Sequence, residues 1–226
     1  MSNLSDHSPV VAQITDKRRL LEVAFVAITA IGKFVMMDLL ELRFPFIVTV
    51  ILGWTVYVII RRKAIRGIFR YWGLTDSHFG QTVRKVIPFA LVSLLACVAV
   101  GYYRDTIQLT WHIIPILILY PLWGTVQQFL TIGLVAGNLQ DLKGKKLPSW
   151  AIILTTASLF GIIHLPYWWL VLGTFLLAFF YAYVYLKIRN LWVLGLLHGW
   201  LGAIFFYTVV GRDPFQEVFG PLLSLQ

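Results

Sequence analysis

Apolar positions in this chain come in long runs rather than in alternation. Seven stretches approach or exceed the length needed to cross roughly 30 Å of hydrocarbon as an α-helix. They are residues 20–40, 44–60, 86–103, 111–136, 150–165, 168–186 and 191–210, of which the fifth is the shortest. The pattern predicts an all-α fold, a polytopic transmembrane helical bundle of about seven spans. No repeat, low-complexity tract or linker divides it, so residues 1–226 read as a single membrane domain. A polar tail occupies residues 1–19, and a basic loop occupies 61–85. Within that loop Ile65, Ile68, Phe69 and Trp72 recur at helical spacing among arginines. The spacing predicts an amphipathic elbow of the kind that lies against a membrane surface.

Composition agrees with lipid as the solvent. The chain is 59% hydrophobic and 13% charged, where a soluble domain is nearer half apolar and a quarter charged. A net charge of +9 would suit a nucleic-acid partner, but the placement of the charge argues otherwise. With the N-terminus in the cytoplasm, fifteen of the nineteen basic residues fall in cytoplasmic segments, against Arg43, Arg104 and Arg212 on the other side and Lys33 within a span. That asymmetry is the positive-inside signature. It predicts a cytoplasmic N-terminus and contact with anionic lipid headgroups, not nucleic acid. The lone cysteine, Cys97, sits inside an apolar run and forms no intrachain disulfide.

Polar groups at membrane depth are costly, and each calls for a reason. Lys33 and Asp38 are five residues apart, a poor spacing for a direct contact on an α-helix, so they read as helix-end anchors. Three features cluster in the second half. Gln127 and Gln128 are adjacent, and Gly124, Gln128, Thr131 and Asn138 continue a small and polar stripe. Phe160 and His164 lie one turn apart. His198 adjoins a ladder of Gly195, Gly199 and Ala203, which allows close approach of another helix. Taken singly, each is hydrogen-bonding glue between helices; together, the amides and imidazoles make a candidate pocket.

Read in order, these motifs resemble the CPBP family, the CAAX prenyl protease and bacteriocin-processing (Abi-like) intramembrane endopeptidases. Members carry Glu-Glu-x-x-x-Arg on one span, Phe-x-x-x-His on the next and His-x-x-x-Asn on a later one. Phe160 and His164 match the second motif, and His198 matches the third. Gln127 and Gln128 stand where the glutamates would be, Ile132 at the arginine and Gly202 at the asparagine. Trp72-Gly-Leu-Thr, and Asn190-Leu-Trp leading into His198, also look like the family. The resemblance covers residues 120–206 most specifically.

The resemblance implies a membrane peptidase, in which a glutamate and a histidine activate water while a second histidine and an asparagine hold the oxyanion. It also implies a peptide or membrane-protein substrate and, for a bacterial chain, the inner membrane. On this reading His164, His198, Gln127 and Gln128 are the catalytic candidates, and Phe160, Thr131 and Gly202 are the substrate-binding ones. Glutamine keeps the shape of glutamate but accepts no proton. The chain is therefore expected to be either a diverged enzyme centred on an imidazole or a catalytically inactive relative that binds a peptide or membrane-protein partner. A transporter is disfavoured, because no charged ion-coupling pathway is evident. No metal is expected, since a zinc centre would want a third His, Cys or carboxylate ligand, and no other cofactor is called for. One geometric demand follows. His164 lies roughly 20 Å along its helix from Trp150, whereas Gln127 and His198 lie roughly 10–13 Å from the ends of theirs. The fifth helix must tilt, or start beyond the hydrocarbon near Pro148 and Ser149, for the three to meet.

Overall fold

The computed structural model describes residues 8–223. Among them every regular element is helical. A short α1 (Ser8–Gln13) precedes the first long helix. Six helices are long and apolar enough to span a membrane: α2 (Asp16–Leu39), α3 (Arg43–Ala64), α5 (Phe79–Tyr103), α6 (Ile113–Gln140), α8 (Trp168–Tyr185) and α9 (Leu191–Val210). Shorter helices are α4 (Ile68–Trp72), α7 (Ser149–Ile162) and α10 (Pro214–Leu223). Helix α7, at 14 residues, is only about 20 Å long, and the chain turns at residues 163–167 before α8 begins.

The two ends of the bundle are held differently. At the basic end Arg19 is fully buried and donates to the carbonyls of Val11, Ile14 and Asp141. The second half of the polar tail is thus a folded plug against α6. Glu22, also buried, meets Tyr57, Arg61 and Arg18, and accepts from Asn138 Nδ2 at 2.7 Å. At the opposite end Asp213 caps α10 by accepting from the Phe215 and Gln216 amides. Burial pushes the Asp213 carboxyl up, but hydrogen bonds from His112, Thr110 and Tyr207 outweigh that and hold it at about 2. These bonds anchor α10 across the non-basic end.

The elbow differs from the expected membrane-surface helix. Ile68, Tyr71 and Trp72 are buried at 1–2% exposure, and Trp72 packs edge-on against Phe129 at 4.9 Å. An amphipathic pattern states only that one face leaves water; here the apolar face is taken by protein instead of lipid. The elbow is also sewn to the start of α9. Leu191 N donates to Gly73 O at 2.8 Å, Asn190 Nδ2 donates to the carbonyls of Thr75 and Ser77, and Asn190 Oδ1 caps α9 through Val193 N. Gly73 takes the left-handed conformation that ends α4, and a Cβ there would lie 2.7 Å from the Arg189 carbonyl. The Trp72-Gly-Leu-Thr and Asn190-Leu segments, far apart in sequence, therefore form one junction that sets the height of His198.

Lys33 and Asp38 also depart from expectation, for they pair directly at 2.6 Å. Residues Phe34–Leu39 form a π-helical stretch. A π turn closes over five residues instead of four, which brings i and i+5 together where an α-helix would separate them. The charge asymmetry predicts the orientation, and a reporter inserted at Lys145 should then read cytoplasmic and one inserted at Arg212 should not. Six helices meet the length for a span and the fifth apolar stretch forms only the 14-residue α7. The same side for both reporters would mean that α7 does not cross and would overturn the expectation of seven spans.

Candidate functional site

Helices α6 and α9 make the tightest helix pair around the site, and glycine is the reason. A Cβ on Gly124 would fall 2.7 Å from the Gly195 carbonyl, and one on Gly199 would collide with the Pro121 backbone. With hydrogen at all three positions the backbones touch, as a small-residue seam permits. The contact places Gln128, fully buried, against His198, which is 7% exposed. Gln128 Nε2 lies 3.0 Å from His198 Nδ1. The Gln128 Oε1 atom is buried without a hydrogen-bond partner among the described residues.

His164 arrives from α7, on the turn just beyond the helix end. Its Nδ1 is 2.7 Å from the Phe160 carbonyl. A carbonyl only accepts, so the proton sits on Nδ1 and Nε2 keeps its lone pair. The Phe160 ring stands edge-on between the imidazoles, with centroids 5.0 Å from His164 and 5.4 Å from His198. Thr174 Oγ1 on α8 lies 3.4 Å from the same Phe160 carbonyl, and Lys33 Nζ reaches across from α2 to the Leu165 carbonyl at 3.0 Å. Ending α7 at Ile162 is how His164 reaches the two other polar motifs without a longer helix.

All of this borders one apolar cavity of about 800 Å³, whose wall includes Gln127, Thr131, Phe160, His164, His198 and Gly202. The volume suits a drug-sized or peptide-sized apolar ligand. Gln127 lines the cavity and makes no side-chain hydrogen bond to the described residues. Thr131 binds back to the Gln127 carbonyl at 2.7 Å. Gly202 has room for a side chain, because an added Cβ would make only ordinary contacts, with Tyr120 at 3.8 Å and His198 at 3.9 Å. Ile132 is fully buried in the core. Directly after Gln128, α6 opens into a π-helical stretch over Phe129–Ala136, a distortion frequent at functional sites.

The two glutamines therefore part company. Gln128 turns to His198, while Gln127 faces the cavity. His164 meets neither amide directly and is linked to His198 through the Phe160 ring. Asn138, part of the polar stripe, leaves the site altogether and serves the Glu22 cluster. Sequence reasoning missed the cavity's charged groups, Lys33, Asp38, Arg43, Arg212 and Glu217. They lie in α2, α3 and α10 or beside them, outside any motif, and only their rarity on the basic-poor side hinted at them. Among the described residues no three His, Cys, Asp or Glu side chains gather as metal ligands would.

No curated protein and no solved structure matches the chain. Residues 108–204, which hold every one of the seven candidate residues, match the family model of the type II CAAX prenyl endopeptidase, Rce1-like. Over this segment the chain is similar to the Rce1-like, CPBP-type membrane endopeptidases.

Proposed function

We propose that the cavity binds an apolar peptide segment and that the protein hydrolyses it slowly, with His164 as the base. The observation that carries this reading is the His164 tautomer: Nδ1–H is committed to the Phe160 carbonyl, so Nε2 offers a lone pair on the cavity wall. Nε2 takes a proton from water as its oxygen adds to the peptide carbonyl. The imidazolium then returns that proton to the departing amine. Gln127, free in the cavity, and His198, steadied by Gln128, would donate to the oxyanion. Among the described residues no carboxylate is hydrogen-bonded to His164 to stabilise the imidazolium, which makes this a slow machine.

A second reading, peptide binding without hydrolysis, is favoured by one specific feature. The positions that would hold a proton-accepting pair are amides, one of them fully buried. Purified protein incubated with a synthetic transmembrane peptide separates the two. Slow cleavage that falls to background in His164→Ala, with peptide binding retained, supports the hydrolase. Binding without cleavage in both proteins supports the second reading, and neither binding nor cleavage refutes both.

A further inference from the structure

The basic residues left on the non-basic side of this chain are few, and they are not scattered. Lys33, Arg43 and Arg212 border the same cavity, and only Arg104 stands apart, bonded to the Val209 carbonyl and lying over the Trp169 ring. The three at the cavity are shared between two carboxylates: Asp38 holds Lys33 at 2.6 Å, and Glu217 is contacted by both Arg212 and Arg43. Among the residues lining the cavity, three cations thus stand against two carboxylates, while Asp213, next to Arg212, is turned to His112, Thr110 and Tyr207. The Arg43–Glu217 contact is the loosest, at 3.5 Å, with the Arg43 side chain 39% exposed. Below this mouth the wall is almost wholly apolar down to Gln127 and His198.

The cavity also has a side. Helices α3 and α5 both line it, through Ile47 and Ile51 and through Ser93 and Ala96, yet among the described residues the two helices scarcely touch. In a bilayer that seam faces hydrocarbon, since Leu52, Val56, Leu91 and Leu95 beside it are exposed. A chain can enter sideways while a polar head stays at the mouth. Basic residues are expensive at this depth and on this side of a membrane, and their convergence is explained if they meet an anion.

We infer that the cavity is a binding site for an anionic phospholipid from the leaflet at the non-basic end. The headgroup phosphate lies between Arg43 and Arg212, and an acyl chain fills the apolar interior. The site depends on the cavity and its mouth rather than on the hydrolytic reading, and it holds whether or not His164 acts as a base.

The test uses the intact protein in nanodiscs of dioleoyl phosphatidylglycerol and dioleoyl phosphatidylcholine. A photo-crosslinking diazirine is placed in the acyl chain, and retained lipid is counted by native mass spectrometry. Phosphatidylglycerol should be retained over phosphatidylcholine, with crosslinks on Ser93, Ala96 or Cys97. Arg43→Gln and Arg212→Gln should each weaken retention about fivefold, the effect of roughly one basic residue near a membrane surface. Glu217→Gln should strengthen it, because both arginines are released, and a misfolded protein would not gain affinity. Equal retention of the two lipids, crosslinks confined to Leu91 and Leu95, or the same affinity for glycerol 3-phosphate alone would overturn the inference. Displacement of the lipid by an apolar peptide with a free C-terminal carboxylate, but not by its amide, would do so as well.

Discussion

Restoring the two carboxylates together with their missing partners is expected to raise peptide cleavage by about 10²–10⁴-fold, the contribution of a well-placed general base. The variant combines Gln127→Glu, Gln128→Glu, Ile132→Arg and Gly202→Asn. Gln127→Glu alone, or with Gln128→Glu, should gain little, because a buried carboxylate without a cation protonates or destabilises its surroundings. Gly202 has room for the asparagine, and the new amide would rise beside His198 on the cavity wall. Ile132 is the hard position, being fully buried. An arginine there is tolerable only with a glutamate at Gln128, one turn earlier, to accept its charge. Ile132→Arg alone should therefore lower thermal stability, and the Gln128→Glu change should recover part of the loss. Cleavage of a synthetic transmembrane peptide, read beside unfolding temperatures in detergent, tests both statements. A quadruple variant that stays folded and cleaves nothing would leave peptide binding as the better account.

Replacing Gly199 by leucine is expected to cost on the order of 3 kcal/mol, at the upper end for overpacking, and to separate Gln128 from His198. The added side chain meets the Pro121 backbone, not a flexible tip, so α6 and α9 can relieve it only by moving apart. Gly53→Leu is the control: nothing lies within 4 Å of a Cβ there, and the position should accept leucine without penalty. Unfolding in detergent would show the difference. If Gly199→Leu proved as stable as Gly53→Leu, the glycine seam would not be what positions the site.

Six of the seven expected spans were legible because a helix in lipid must satisfy its backbone internally, and long apolar runs leave few other solutions; the fifth stretch gives only the 14-residue α7. The polar motifs were legible for the same reason, since Gln128 and His198 stand out in hydrocarbon. What could not be read was where spacing rules assume an α-helix. Lys33 and Asp38, five residues apart, seemed poorly spaced for a contact until a π-helical stretch brought them together. The elbow failed differently, because its periodicity is blind to whether lipid or Phe129 covers it. His164 was placed on its helix when it sits past the end, where a backbone carbonyl selects its tautomer. Nor does local pattern say which of two adjacent glutamines faces a cavity. That depends on which side of α6 the Gly195 and Gly199 backbone approaches.

The Glu22 cluster has a bearing on how the chain is made. Ribosomes deliver α2 and α3 to the bilayer well before α6, so Asn138 is not yet present when Glu22 first meets hydrocarbon. Its other partners, Arg18, Tyr57 and Arg61, all belong to the same first hairpin. Lys33 likewise carries its own counter-ion, Asp38, in the same helix. The hairpin can therefore enter the membrane with these charges already neutralised and wait there during synthesis. Asn138 completes the carboxylate's shell only when α6 docks, late and without an exposed ion to be rescued.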